Sequence, residues 1–306
     1  MQHSTLGSTR RIPVILDTDI GTDIDDTWAL GLLLKSPELD VRLIVTETGD
    51  TTSRARIVAK VLEIGSRTDV PIGIGIPLTD VPIPHAPWVE GYELSDYAGP
   101  IHEDGVGAIV DTIMGSPEPI TLICIGPVPN ISAALEREPR IAERARFVGM
   151  HGSVRRGYGG SEEVSAEYNV ASHPQACHKV FTAPWDITIT PLDTCGVVKL
   201  AGEKYRAVRD SDDPLARAVI ENYRIWARNT PWAKDLDASA ESSILFDTVA
   251  IYLASSEELL VMEKLGLRVT DDGHTVADDS AKIINCALDW KDLPAFEDFL
   301  VRRLTD

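Results

Sequence analysis

The sequence lacks paired cysteines, long hydrophobic stretches and an excess of positive charge. Its few cysteines are dispersed and form no Cys-x-x-Cys pair, which argues against a zinc ribbon or a dithiol redox centre. A reducing cytoplasm is therefore the simplest compartment to expect. The four are Cys124, Cys177, Cys195 and Cys286.

No apolar run approaches the roughly 20 residues of a membrane-spanning helix. Residues 1–10 are polar and lack the apolar core of a signal peptide. We expect residues 1–11 to form a flexible tail and residues 12–306 a single domain, because the sequence shows no repeat, low-complexity tract or linker. No membrane association is predicted.

Basic residues are scarce, with 29 Lys and Arg against 48 Asp and Glu and a formal charge of −19. That balance argues against a surface that binds nucleic acid or an anionic membrane. The hydrophobic fraction of 43% is ordinary for a globular protein with a full core. The negative charge and the hydrophobic fraction are both compatible with a soluble enzyme that holds a cation.

The most unusual stretch contains five aspartates within ten residues. It follows the apolar run of residues 12–16 and precedes a second apolar run at 27–34, which predicts a buried strand, an acidic loop and a helix. Helix capping needs one or two carboxylates. The others repel one another, so a cation with a preference for hard oxygen ligands, Ca²⁺ or Mg²⁺, is the natural partner. The alternative is a solvated loop that only caps the helix. The five are Asp17, Asp19, Asp23, Asp25 and Asp26.

Short apolar runs alternate with helical patterns through the first two thirds of the chain, which predicts an α/β fold with a mostly parallel central sheet flanked by helices. Further strands are predicted at 41–45, 70–74, 120–125, 146–150 and 186–189. Helices are predicted at 53–64, 106–114, from 131, and in the more helical last third at 214–228, 242–255 and 293–304.

Ligands bind beyond the carboxyl ends of the strands in such sheets. Each predicted strand here runs into glycine, proline or polar residues at that end, so one shared site at that edge is expected. These strand-end segments are 17–26, 48–50, 75–77, 126–130 and 151–153.

The acidic stretch resembles the opening motif of the nucleoside hydrolase family, the inosine-uridine-preferring type. Residues 17–21, Asp-Thr-Asp-Ile-Gly, and the pair Asp25-Asp26 match that motif, although the spacer Thr22-Asp23-Ile24 makes it two residues longer than usual. Further matches follow in the right order over about residues 12–300, and the fold they imply is nucleoside-hydrolase-like. They are Gly-Pro-Val-Pro-Asn at 126–130, Val-Gly-Met-His-Gly at 148–152, Ala-Glu-Tyr-Asn at 166–169 and Phe-Asp at 246–247.

The resemblance implies Ca²⁺-dependent hydrolysis of the N-glycosidic bond of ribonucleosides, which releases ribose and the free base. It assigns the metal to Asp19, Asp26, Asp247 and the carbonyl of Ile125, with Asp19 also taking the proton of the attacking water. It assigns the substrate to Asp25, Asp50, Met150, Ser161, Glu167, Asn169 and Phe246. It further implies a homodimer or homotetramer with a small-molecule nucleoside as its partner. Asp17 would orient the loop, and Asp23 is expected at the surface.

Several of these residues have ordinary structural alternatives. Asp25 and Asp247 could only cap their helices, Asp50 could be a turn residue, and Glu167 and Asn169 could be surface residues.

Two positions depart from the family pattern. Ser161 stands where the family often has an Asn near the 5′-hydroxyl, and Phe246 stands where many members have a His that protonates the leaving base. Phe cannot donate a proton, so it stacks on the base or belongs to the core. The candidates for a substitute acid are His85, His102 and His151, and those for base stacking are Trp88, Tyr92, Trp226 and Trp232; each is more often structural.

Three other interpretations compete. A strand followed by Asp17-Thr18-Asp19 also resembles haloacid-dehalogenase-type phosphatases, but Gly21 fails that pattern. An EF-hand fails because Trp28 stands where its last ligand, a Glu, belongs. A metal- and ribose-binding protein with little turnover remains open because of Phe246. The base specificity is open as well.

Overall fold

The computed structural model describes residues 10–306, so the predicted flexible tail lies almost wholly outside the described residues. The described part contains a ten-stranded sheet. Its strands are β1 (Ile12–Thr18), β2 (Leu39–Thr46), β3 (Ile72–Ile74), β4 (Ile101–His102), β5 (Ile120–Cys124), β6 (Ala145–Met150), β7 (Ile187–Thr190), β8 (Leu260–Val269), β9 (Thr275–Ala277) and β10 (Ile283–Trp290).

Eleven α-helices occur in residues 10–306, and none of them is long and apolar enough to cross a bilayer. They are α1 (Asp25–Leu34), α2 (Thr51–Ile64), α3 (Gly105–Gly115), α4 (Pro129–Arg137), α5 (Tyr168–Ser172), α6 (Pro174–Thr182), α7 (Leu192–Cys195), α8 (Gly202–Arg209), α9 (Pro214–Asn229), α10 (Thr248–Leu253) and α11 (Leu293–Thr305).

The strand order is β4-β3-β2-β1-β5-β6-β7-β10-β8-β9. Neighbouring strands from β4 to β10 pair in parallel, and at the other end β8 pairs antiparallel with both β10 and β9. This confirms the predicted α/β architecture. It also brings the carboxyl ends of β1, β2, β5 and β6 to the same edge of the sheet.

Strand β1 lies in the middle of the sheet, where both of its faces are buried. Val14 and Leu16 pack into the core that holds α1, α2 and α9, while Ile15 packs into the second core on the opposite face. Successive side chains of a strand point to opposite faces, so a continuous apolar run is what a doubly covered strand needs. The chain then leaves this buried strand directly into the acidic loop.

The predicted helix at 242–255 is wrong in its first half, because α10 begins only at Thr248. The preceding residues run extended beside residues 198–200: Ser242 N–H donates to the Leu200 carbonyl (2.9 Å) and Leu245 N–H to the Val198 carbonyl (2.9 Å). These tertiary hydrogen bonds override the apolar periodicity of the segment. As a result, Asp247 stands at the N-terminus of α10 rather than inside a helix.

Candidate active site

A cavity of about 480 Å³ opens at the carboxyl edge of the sheet. Its lining comes from the acidic loop and the start of α1, from the ends of β5 and β6, and from the loop before α5 together with the first residues of that helix. The loop after α9 and the segment that precedes α10 complete it. The lining residues are Asp19, Thr22, Asp23, Asp25, Asp26, Ile125, Met150, Tyr158, Glu167, Tyr168, Asn169, Trp232, Ser243, Ile244, Phe246 and Asp247.

Three carboxylates form the most acidic part of this cavity. Asp25 and Asp26 open α1 and Asp247 precedes α10; each is at most 4% exposed, and one oxygen of each lies within 4.8 Å of the other two. Burial first, and then repulsion by neighbouring aspartates that include Asp19 and Asp23, raises the pKa of each well above its usual value. Among residues 10–306, no Lys, Arg or His lines the cavity. A divalent cation with hard oxygen ligands fits this set of donors.

Helix ends and neighbouring hydroxyl groups hold the three carboxylates in place. The Thr18 hydroxyl at the end of β1 donates to Asp26, and the Asp247 N–H donates to Asp25 Oδ2 at 3.4 Å. The side chain of Asp247 does not cap its own helix. Its oxygens therefore stay available to a ligand in the cavity.

Asp19 lines the same cavity but lies outside the group of three. Burial raises its pKa, and the positive charge of Arg54 opposes that shift. A Cβ atom on Gly126 would lie 2.7 Å from Asp19 Oδ1 and 2.4 Å from Glu47 Oε1. Only glycine lets the chain after β5 pass so close to two carboxylates.

Glu47 is a buried carboxylate that none of the sequence motifs indicated. It follows β2 directly, is fully buried, and its pKa is raised well above the usual value by burial and by the charges of Asp19 and Asp17. Its Oε1 has no hydrogen-bond partner among the described residues. The signal that could have found it is the same strand-end position that identified Asp17 and Asp19.

Arg54 is a fully buried arginine in the first turn of α2. It donates hydrogen bonds to the carbonyls of Asp19 and Ile20 (2.9 Å), to Thr22 Oγ1 (2.8 Å) and to the carbonyl of Thr48 (2.5 Å). It thus ties the acidic loop to the end of β2. A basic residue in the first helical turn opposes the helix dipole, and that oddity was the available signal.

The predicted sugar-binding residues lie on the side of the cavity formed by β6 and α5. Glu167 accepts hydrogen bonds from the N–H groups of Gly152 (2.9 Å), Asn169 (2.7 Å) and Val170 (3.2 Å), while burial raises its pKa to about 7. The Asn169 amide nitrogen donates to the carbonyls of Ile125 (3.1 Å) and Met150 (2.9 Å). A carbonyl has two lone pairs, so Ile125 can accept this bond and still face a cation.

Aromatic side chains line the outer part of the cavity. Trp232 is 66% exposed, Tyr158 44% and Tyr168 38%, whereas the carboxylates are buried. The ring of Tyr158 meets the half-buried ring of Phe246 edge to face, with centroids 6.0 Å apart. Phe246 therefore lines the cavity and is not wholly core. Of the four predicted stacking candidates, Trp232 lines the cavity, and Trp88, Tyr92 and Trp226 lie elsewhere.

None of the three candidate histidines lines the cavity within residues 10–306. His85 and His151 are fully buried, and burial lowers the pKa of each to about 3, so both are neutral at pH 7. His151 packs against Phe147 and Phe181 below the sheet edge. His102 is exposed on β4.

Three predicted residues lie differently from what was expected. Asp23, expected at the surface, lines the cavity, and burial raises its pKa to about 7. Asp50 is exposed and caps α2 through Ser53 N–H (2.9 Å), and Ser161 is an exposed loop residue; neither lines the cavity. Asp17 lies behind the cavity, where Asn130 donates to it (2.8 Å), in keeping with a supporting role.

Comparisons with known proteins point in one direction. Residues 14–297 match a family model described as inosine-uridine preferring nucleoside hydrolase. The chain is 35% identical over 227 residues to the non-specific ribonucleoside hydrolase RihC of Klebsiella pneumoniae, which covers 70% of this chain and 73% of that protein. It is also 35% identical over 204 residues to RihC of Salmonella agona, covering 63% and 65%.

Solved structures with low sequence identity share the fold. The plant nucleoside hydrolase PpNRh1 superposes with a TM-score of 0.82 at 22% identity, covering 97% of this chain and 99% of that one. The inosine-uridine preferring nucleoside hydrolase of Bacillus anthracis superposes with a TM-score of 0.74 at 17% identity, covering 96% and 99%.

Proposed function

The chain belongs to the inosine-uridine preferring nucleoside hydrolase family, and from that premise we propose that it is a Ca²⁺-dependent N-ribohydrolase that cleaves ribonucleosides into ribose and free base. The observation that carries the proposal is the group of three buried carboxylates, Asp25, Asp26 and Asp247, inside a cavity whose outer wall is aromatic. The phosphatase interpretation of the acidic stretch does not account for this arrangement.

The cation would be held by Asp26, Asp247 and the Ile125 carbonyl, with Asp25 adjoining. Ca²⁺ takes roughly 6–8 oxygen ligands in flexible geometry, so it suits three carboxylates, a carbonyl and the hydroxyl groups of a sugar better than Mg²⁺, which keeps its waters. When bound, the cation supplies a Lewis acid that lowers the pKa of a water.

The chain's own residues do the rest. Asp19, whose pKa burial raises while the charge of Arg54 opposes that shift, accepts the proton of the water that attacks the anomeric carbon. Glu167, Asn169 and Met150 position the ribose. The carboxylates of the cavity stabilise the positive charge that builds up on the sugar as the glycosidic bond breaks, as in glycoside hydrolysis generally.

The test combines turnover with direct measurement of cation binding. Purified protein, stripped of metal and then supplied with Ca²⁺ or Mg²⁺, is assayed for reducing sugar on a panel of purine and pyrimidine nucleosides. Ca²⁺ binding to wild type, Asp26→Asn, Asp247→Asn, Asp25→Asn and Asp19→Asn is measured by calorimetry. Asp111→Asn, which removes an exposed carboxylate of α3, is the matched control.

We expect Asp26→Asn and Asp247→Asn to lose Ca²⁺ affinity and turnover together. The Asp25→Asn and Asp19→Asn variants decide whether Asp25 or Asp19 is the further cation ligand. The variant of the ligand should lose Ca²⁺ affinity and turnover, whereas the variant of the other residue should lose turnover alone. Ca²⁺ binding by Asp26→Asn and Asp247→Asn equal to that of Asp111→Asn would contradict the metal assignment. Failure of every nucleoside to release ribose would contradict the enzyme.

A second candidate function is that of a metal- and ribose-binding protein with little turnover. It is favoured by Phe246, which lines the cavity and cannot donate a proton to the leaving base. Tight nucleoside binding without ribose release would favour it. The proposal further includes a cytoplasmic location and a homodimer or homotetramer, the latter checked by light scattering on the purified protein.

A further inference from the structure

The distribution of polar and aromatic residues in the cavity indicates the orientation in which a nucleoside would bind. Buried carboxylates occupy one part, and the exposed part is aromatic. The hydroxyl-rich ribose belongs with the carboxylates and the flat base with the rings. Because one bond joins sugar and base, and Phe246 precedes Asp247 directly, the base must lie next to Phe246 and the ring that packs on it, Tyr158.

Tyr158 is held at this wall by the loop that carries it. The loop closes through hydrogen bonds from Gly157 N–H to the Ser161 carbonyl (2.9 Å) and from Gly160 N–H to the Gly157 carbonyl (3.1 Å). Gly159 and Gly160 adopt φ of 65° and 77°, which side-chain-bearing residues rarely do. The phenol is therefore positioned by backbone geometry and not only by its own packing.

The hydrogen bonding of the phenol leaves its proton free to donate. Its oxygen accepts a hydrogen bond from Tyr168 N–H at 3.0 Å. Within residues 10–306 its own O–H has no hydrogen-bond acceptor, while the ring lines the cavity. A phenol that already accepts one hydrogen bond and has a donor to spare is suited to a nitrogen or carbonyl oxygen on the edge of a base.

We propose that the Tyr158 hydroxyl donates a hydrogen bond to the departing nucleobase and so stabilises it where Phe246 cannot supply a proton; this rests on the proposed ribohydrolase activity. The bond between the anomeric carbon and the base nitrogen breaks, and its electron pair stays on the base. The water oxygen bonds to the anomeric carbon and its proton goes to Asp19. Tyr158 stabilises the negative charge on the base, which then takes a proton from solvent, while Asp19 returns its proton to solvent.

Tyr158 can donate this hydrogen bond only while its phenol hydroxyl is protonated. Burial, together with the charge of Glu167, raises the pKa of the phenol above its ordinary value. The hydroxyl thus stays a donor throughout the neutral range, and its contribution does not vary with pH there. A titrating histidine would behave differently.

The experiment compares Tyr158→Phe with wild type on two substrates in the presence of Ca²⁺. Inosine has a poor leaving base that needs help, whereas p-nitrophenyl riboside has a leaving group that does not. We expect kcat for inosine to fall about 10²-fold, the usual effect of losing one preorganised donor to a developing negative charge. Activity on p-nitrophenyl riboside and the shape of the pH profile from 6 to 9 should not change.

The control is Tyr92→Phe, which removes a buried phenolic oxygen that has no hydrogen-bond partner among the described residues and lies away from the cavity. A second variant, Tyr158→Phe with Phe246→His, should recover part of the inosine activity, because the imidazole offers a donor at the same wall.

Equal losses on both substrates would overturn the proposal, since the hydroxyl would then serve only to order the loop. Full inosine activity in Tyr158→Phe would overturn it as well. If wild type hydrolyses neither substrate, the proposed function itself has failed, and the inference falls with it.

Discussion

Gly126 allows two buried carboxylates to approach the main chain after β5. The spot where its Cβ would be lies 2.4 Å from Glu47 Oε1, 2.7 Å from Asp19 Oδ1 and 2.9 Å from the Asp19 nitrogen. Contacts below 3.0 Å force atoms to move, and here all three partners are buried. The groups that would have to move include the carboxylate of Asp19, the proposed proton acceptor.

We therefore expect Gly126→Ala to destabilise the protein by about 1–3 kcal/mol, the usual range for overpacking a filled site, and to lower kcat strongly. Chemical denaturation and a nucleoside assay measure the two effects. Gly115→Ala, at the end of α3 with no heavy atom within 4 Å of the new methyl group, is the control and should be neutral or slightly stabilising. Wild-type turnover in Gly126→Ala would show that the close approach has no functional meaning.

The sequence indicated the carboxylates and, through Phe246 and Trp232, part of the aromatic wall, but not Tyr158. Asp19 and Asp26 were identifiable because a buried strand end and a helix start leave a pattern in the chain, whereas Asp247 was identifiable only through the resemblance to the nucleoside hydrolase family. Tyr158 lies in a loop of glycines with no periodicity, and its role comes from Phe246, 88 positions away in sequence. No local signal connects two such residues; only the fold brings them together.

At the scale of elements, the acidic loop depends on a helix that does not touch the cavity. Arg54 of α2 reaches carbonyls on both sides of the turn after Asp19 and the Thr22 hydroxyl in the longer spacer. Arg56 lies on the same helix and donates to the carbonyls of Tyr92 (2.6 Å) and Val89 (3.0 Å). Both arginines thus donate hydrogen bonds to main-chain carbonyls, Arg54 in the acidic loop and Arg56 in the segment around residues 89–92.

We expect Arg54→Gln to lower the free energy of unfolding by about 3 kcal/mol or more, because several buried carbonyls lose their donor and each costs about 1–3 kcal/mol. It should also weaken Ca²⁺ binding by displacing the loop. Arg56→Gln should lose stability while its Ca²⁺ affinity in calorimetry stays that of wild type. Equal Ca²⁺ affinity in the two variants would refute a specific link between Arg54 and the acidic loop.

Element boundaries also show where sequence reasoning stops. Six strands of the parallel sheet, β1, β2, β3, β5, β6 and β7, were predicted to within a few residues, since each is a short apolar run. The two-residue strand β4 has no such run and was not predicted. The segment 242–247 has the apolar spacing of a helix, yet residues 242–245 run extended because residues 198–200 offer them backbone partners, and residues 246–247 form the turn that opens α10. That competition is decided by tertiary contacts, and it sets the position of Asp247.

For the whole molecule, the concentration of carboxylates at one edge of the sheet makes stability depend on pH and on cations. Burial raises the pKa of Asp17 and of Glu167 to about 7. It also raises the pKa of Asp25, Asp26 and Asp247. In the unfolded chain these groups titrate near pH 4. Raised folded-state values mean that the stability these groups contribute is fully present below about pH 4 and is lost as pH rises through their folded-state pKa, which is about 7 for Asp17 and Glu167.

Without metal, the melting temperature should fall as pH rises from 5 to 8, because the folded state must give up protons that the unfolded chain has already lost. Added Ca²⁺ binds the ionised carboxylates of the folded state only, so its stabilising effect should grow over the same interval. Differential scanning fluorimetry in EDTA and in Ca²⁺ at each pH measures both trends. Asp247→Asn should show a shallower decline in EDTA and a smaller response to Ca²⁺. A melting temperature in EDTA that rises from pH 5 to 8, or a Ca²⁺ response that shrinks with pH, would mean that these carboxylates are not the cation's ligands.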